Sequence, residues 1–133
     1  MSNTRKTINV NVSSPAASKK IPIFQAPSDQ TWTIEAAYMT YDTTIAASTA
    51  DYVTATLENG GTVGTGTTDM SDAIGGTPGW VANTKKTFAI TAALGDVTPG
   101  QVVNLDYVVA GTIAINRALV TLEVVEGQGA KFG

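Results

Sequence analysis

The chain is predicted to be all-β: an antiparallel sandwich of jelly-roll type with an extended N-terminal arm. Three observations predict it. Among 133 residues there are 21 Thr, 13 Val and 9 Ile but only 5 Leu, and β-branched side chains suit a pleated surface better than a helix. Apolar residues recur at every second position in most of the patterned segments, the period of a half-buried strand. Thirteen Gly and five Pro punctuate these segments, with no strand–helix rhythm of the kind a parallel sheet requires.

The elements follow in order. Residues 7–12 set Ile8, Val10 and Val12 on one face, with Thr7, Asn9 and Asn11 on the other. Residues 12–20 are small, polar and interrupted by Pro15, which reads as a linker. Residues 21–24 are extended, and Pro22 confines them to an edge. Residues 31–41 alternate Trp32, Ile34, Ala36 and Tyr38 against Thr31, Thr33, Glu35 and Ala37. A helical face of Ile34, Tyr38, Tyr41 and Ile45 competes there, but the threonines and aromatics of that window disfavour helix. Residues 52–58 turn Val53, Ala55 and Leu57 inward. An irregular stretch, 59–84, holds seven glycines. Residues 86–94 place Phe88, Ile90 and Ala92 inward, and 101–110 place Val103, Leu105, Tyr107 and Val109. Residues 113–126 form a last long strand or bent pair with Ala114, Ala118, Val120, Leu122 and Val124 on one face. The expected core takes Trp32, Ile34, Phe88, Ile90, Leu105, Tyr107, Val120 and Leu122.

Charge divides the chain into a basic arm, 1–20, and one sandwich domain, 21–133. Arg5, Lys6, Lys19 and Lys20 lie in the arm without an acid, and the remainder carries four bases and eleven acids. Such a body is a poor partner for nucleic acid. The arm lacks the interleaved aromatics of a single-strand binder, so no nucleic-acid partner is expected. No apolar run approaches the roughly 18 residues of a membrane span, and no secretory signal is visible, so no membrane partner is expected either. Asn11-Val12-Ser13 has the form of a glycosylation acceptor, which matters only behind such a signal.

The chain contains no Cys and no His. Thiolate nucleophiles, imidazole bases and Cys/His metal sites are thereby excluded. Gly60 to Thr68 looks like a phosphate loop, but Gly66 is followed by Thr67 and Thr68 where a Walker loop needs lysine and then a hydroxyl. Asp69 and Asp72 could contribute oxygens to a hard cation, yet their spacing matches no EF-hand. Glu35, Asp42, Asp51, Glu58, Asp106 and Glu123 could in principle pair as acid and base, and nothing selects two of them. No enzyme, no metal and no cofactor are therefore expected. Trp80, at Pro78-Gly79-Trp80, can stack on a sugar, anchor a subunit contact, or simply plug its own sheet.

Four segments carry a resemblance: Trp32-Thr33-Ile34-Glu35-Ala36-Ala37-Tyr38, Ala47-Ser48-Thr49-Ala50-Asp51-Tyr52-Val53, Leu105-Asp106-Tyr107-Val108-Val109-Ala110-Gly111 and Ala118-Leu119-Val120-Thr121-Leu122-Glu123. Over residues 21–129 the chain resembles the small head decoration (cement) and head-fibre proteins of tailed bacteriophages. That resemblance implies a homotrimeric β-sandwich, made in the host cytoplasm and bound to the major capsid protein on the virion surface. Val102 and Val108, opposite the Leu105 face, are the apolar patch expected to serve self-association. Arg5, Lys6, Ile8, Val10, Val12, Lys19, Lys20 and Trp80 are the expected partner-binding residues. The arm would add its strand to a neighbour; the same pattern also fits an ordinary first strand on its own sheet. The alternative function is a receptor- or carbohydrate-binding fibre domain, with Trp80 and the glycine-rich loop on a host-surface glycan.

Overall fold

The computed structural model describes residues 5–13, 19–111 and 117–126. Ten strands occur among them: β1 (Arg5–Ser13), β2 (Lys19–Gln25), β3 (Trp32–Tyr41), β4 (Tyr52–Asn59), β5 (Thr68–Asp69), β6 (Ile74–Gly75), β7 (Lys86–Phe88), β8 (Asp96–Val97), β9 (Val102–Ala110) and β10 (Arg117–Glu126). A 3-10 turn, Ala92–Leu94, precedes β8. Every pairing is antiparallel. One sheet runs β1-β10-β3-β7, with β8 also on β3; the other runs β2-β9-β4-β5, with β6 also on β4. From β1 to β4 the chain changes sheet at each step, and β9 and β10 again lie in opposite sheets. First and last strands are neighbours, as are second and second-to-last, which is the interlocked double Greek key of a jelly roll.

The core lies between the sheets. Ile34, Met39, Leu57, Phe88, Leu105, Tyr107, Val120 and Leu122 are all at most 1% exposed. Seven of the eight expected core residues are buried, and Ile90 is half-buried against them. Ala114 lies outside the described residues.

Three expectations need correction. In β3, Ile34 pairs with Val124 and Ala36 with Glu123, so Glu35 is an extra residue on that strand. A bulge of this kind reverses the alternation beyond it. Ala36 and Tyr38 therefore turn outward, and Ala37, Met39 and Tyr41 fill the core instead.

The segment 86–94 is not one strand. Phe88 pairs with Ala37 and Asp96 with Thr33. The chain between Phe88 and Asp96 is longer than the β3 segment it passes, so it loops out through the 3-10 turn and leaves Ala92 exposed.

The third correction concerns the arm. Arg5–Ser13 pairs along its whole length with β10, from Arg5↔Val125 to Ser13↔Arg117, and is an edge strand of its own sheet. Val12 is 3% exposed, and Ile8 and Val10 pack against the core. Packing on its own sheet accounts for the alternation of β1, and β2 already starts at Lys19, before the expected boundary at 20.

Candidate interaction surfaces

The two flanks of the sandwich are built differently. On the flank of β5 to β8 the sheets are joined. Thr91 N–H donates to the Met70 carbonyl at 2.9 Å, Asp72 N–H to Ala89 at 3.3 Å, and Ser71 bridges to Ile90. Ser71 Oγ also accepts from Leu57 N–H at 3.1 Å. On the other flank β1 and β2 run as the edges of separate sheets, with no pairing between them among the described residues. A groove of about 140 Å³ lies there, floored by Ile8, Phe24, Trp32 and Val124 and rimmed by Lys6, Gln25 and Pro27.

The cations of the expected arm are placed along this flank. Arg5 forms an ion pair with Glu35. The Lys6 ammonium stands 5.5 Å from the Trp32 ring centroid, a cation–π contact at the groove mouth. Lys19 aligns with Tyr107 and Lys20 with Asp106 in the β2–β9 register. Lys20 Nζ lies 2.8 Å from Glu58 Oε1. Arg5 and Lys20 are thus engaged with carboxylates of this chain.

Glu58 is 5% exposed although it faces outward. The 60–66 loop folds over that part of the sheet: Asn104 Nδ2 donates to the Gly64 carbonyl at 2.9 Å and Gly66 N–H to Gly60 at 2.8 Å. Glu58 Oε1 has no well-directed hydrogen bond, so the Lys20 ammonium is its compensation. The Glu58 carboxylate so close to it raises the Lys20 pKa above its ordinary value. Asp69 sits directly across from Glu58 in the β4–β5 register. Loss of solvent, and then the neighbouring Glu58, push the Asp69 carboxyl above its ordinary value of 3.8. Val108 is 40% exposed, but Val102 is half-buried and tied to the loop through Val102 N–H on the Gly61 carbonyl at 3.0 Å. Only one member of the expected apolar patch is open.

Trp80 is a plug. It is 3% exposed, packs edge-on against Tyr41 at 4.3 Å, and donates from Nε1 to the Thr84 carbonyl at 3.1 Å. Gly79 makes that seat possible: its φ is +80°, and an added Cβ would come within 2.3 Å of the Ile45 carbonyl oxygen. Burial places Trp80 out of reach of a sugar or subunit. The Tyr41 hydroxyl beside it is buried without a hydrogen bond, and burial drives its pKa well above the ordinary tyrosine range.

A cleft of about 360 Å³ opens at one end of the sandwich, lined by Asn59, Thr68, Leu94, Asp96, Thr98 and Gln101 among others. Its amides are largely used internally. Asn59 Nδ2 and Thr98 N–H both donate to Gln101 Oε1 at 2.9 Å. Among the described residues no three Asp or Glu converge as a metal would need. The groove and the cleft escaped sequence reading because each is lined from segments distant in the chain.

No known protein family matches the chain, and no curated protein matches it. Solved structures of infectious bursal disease virus are similar to it in part. The structure of the Gx strain matches with a TM-score of 0.48 and 19% identity over 92% of this chain and 32% of that one. The Gt strain structure matches with a TM-score of 0.39 and 11% identity over 93% and 32%. A mutant VP2 protein of the same virus, in derived T=1 particles, matches with a TM-score of 0.39 and 11% identity over 93% and 31%. The chain spans about a third of the length of each of these chains. The jelly-roll assignment stands on the strand order alone.

Proposed function

We propose that the protein is a structural component of a virus particle, a decoration protein that docks on the major capsid protein of an assembled phage head and reinforces the shell. The observation that carries this reading is the jelly-roll strand order, an architecture used by viral capsid and lectin domains, found in a chain whose sequence resembles decoration proteins. A ligand that binds only the assembled shell stabilises it by mass action. Several joined copies dock with avidity, because the first contact makes the next ones effectively intramolecular. The resemblance implies three joined copies, whereas the unpaired outer edge of β1 favours a two-fold pair. The role is static binding, without catalysis, cofactor, nucleic acid or membrane. The ion pairs of Arg5 with Glu35 and Lys20 with Glu58 support the nucleic-acid part of that statement.

Imaging particles that carry a tagged copy tests the proposal. Label over the whole head is expected; label confined to the tail or to sparse projections favours the fibre reading, and unlabelled particles overturn both. The carbohydrate-binding alternative now rests on the end cleft, where Asp96 and Thr98 offer polar groups beside Leu94, and no longer on Trp80. Glycan binding by the isolated protein, lost in Asp96→Ala, would support it.

A further inference from the structure

Among the described residues the sandwich has one edge that is both long and unguarded. β5, β6 and β8 are two residues each and β7 is three. β2 has seven residues, but Pro22 lacks an amide hydrogen and the register slips at Ile23. Proline and bulges are devices that stop a sheet from growing. β1 has nine residues, no proline, and one unbroken register with β10. Its outer side pairs with nothing among the described residues. Alternate residues of an antiparallel strand turn N–H and C=O to that side, so β1 presents a row of free donors and acceptors.

We propose that this edge is a contact between two copies of the chain, which meet β1 to β1, antiparallel, about a two-fold axis at Asn9. The occupant follows from the edges available. The other edges are shorter or broken, so a second copy can match β1 only with its own β1, and a same-to-same contact is two-fold. The residues fit that register. With the whole strand overlapped, Arg5 faces Ser13, Lys6 faces Val12, Thr7 faces Asn11, Ile8 faces Val10, and Asn9 faces its own copy. Ile8 and Val10 then meet on the core side, where the Lys6 stem lies across from Val12, and Thr7, Asn9 and Asn11 meet on the outer side. Ile8 and Val10, half-buried in one copy, gain a cover. Arg5 and Lys6 fall at opposite ends of the pair, so no like charges lie across from one another. Asn9 Oδ1 already accepts from Thr121 Oγ1 at 2.8 Å. Its amide nitrogen has no partner among the described residues and is available to the Asn9 across the axis. Pro22 and the Ile23 irregularity keep the second layer from joining, which limits growth to a single pair.

The inference does not depend on the virion reading and is tested without particles. The chain has no cysteine, so one introduced residue reports the axis. Asn9→Cys sets two thiols across the axis at a cross-strand separation a disulfide can close with small adjustment. Asn11→Cys lies on the same face and edge, but its own copy sits roughly 13 Å further along the strand. The expected results are a dimer, or an even multiple, in sedimentation at micromolar concentration, and disulfide formation at least about tenfold faster for Asn9→Cys than for Asn11→Cys. Asn9→Asp, which opposes two carboxylates at the axis, should raise the dissociation constant by about tenfold with an unchanged far-UV spectrum. If Asn9→Asp does not fold, the two cysteine variants decide. A monomer, a trimer, or equal cross-linking of the two cysteines overturns the proposal.

Discussion

On one flank of the sandwich, bordered by four strands of two or three residues each, the segments 70–72 and 89–91 sew the sheets together; on the other, two strands of nine and seven residues run as separate edges. The joined flank spends its backbone groups internally, through Met70, Ser71 and Asp72 on Ala89, Ile90 and Thr91. It also carries a loop packed on the core, where Trp80 closes over Tyr41. The open flank keeps a groove and a free edge. The difference teaches that stability and association are assigned to opposite sides of one fold. A sheet edge can be satisfied by stitching it at home or by leaving it for another chain, and this protein does one of each.

Mutations on the two flanks should therefore differ in kind. The largest expected effect is Trp80→Ala on the joined flank, which should cost about 3–5 kcal/mol in denaturant unfolding because the indole fills a closed site. Met70→Ala, 0% exposed beside the stitched segment, should cost about 2–5 kcal/mol by the same measurement. On the open flank, Ile8→Ala should cost only about 1 kcal/mol in dilute protein, since the side chain is half-buried. Its loss should instead weaken self-association measured by sedimentation. A cost at Ile8 equal to that at Met70 would break the comparison.

The smallest effect belongs to Asp69→Asn. The folded state holds this carboxyl's proton more tightly than the unfolded chain does. Stability linked to Asp69 is thus fully present below its ordinary pKa of 3.8 and is lost as pH rises through the higher folded value. The variant, lacking the charge opposite Glu58, should be more stable at pH 7 by about 0.5 kcal/mol. Its advantage should vanish below pH 4 when melting is followed against pH.

The long strands were legible because alternation survives burial of one face: residues 52–58 and 101–110 match β4 and β9 within a residue at each end. The joined flank was not. Strands of two or three residues have no period to read, and their pairing is decided by backbone contacts such as Thr91 on Met70. The phase reversal in β3 was hidden because a single inserted residue, Glu35, is visible only against its partner strand. The basic segment looked like a separate arm because the Ser- and Pro-containing run after it resembles a linker. What places Arg5–Ser13 on its own sheet is β10, more than a hundred positions away. Trp80 beside Pro78 and Gly79 suggested a loop tip equally suited to contact or to plugging, and the seat under Ile45 decides it.

The central claim is that β1 is the edge left open for assembly and β2 is the edge kept shut. Amide hydrogen exchange, read residue by residue in dilute and in concentrated protein, tests it most directly. Alternate amides of Arg5–Ser13 should exchange freely when dilute and become protected on concentration, while the amides of Lys19–Gln25 stay unchanged. Concentration-dependent protection that appears on β2, or on neither strand, would contradict it.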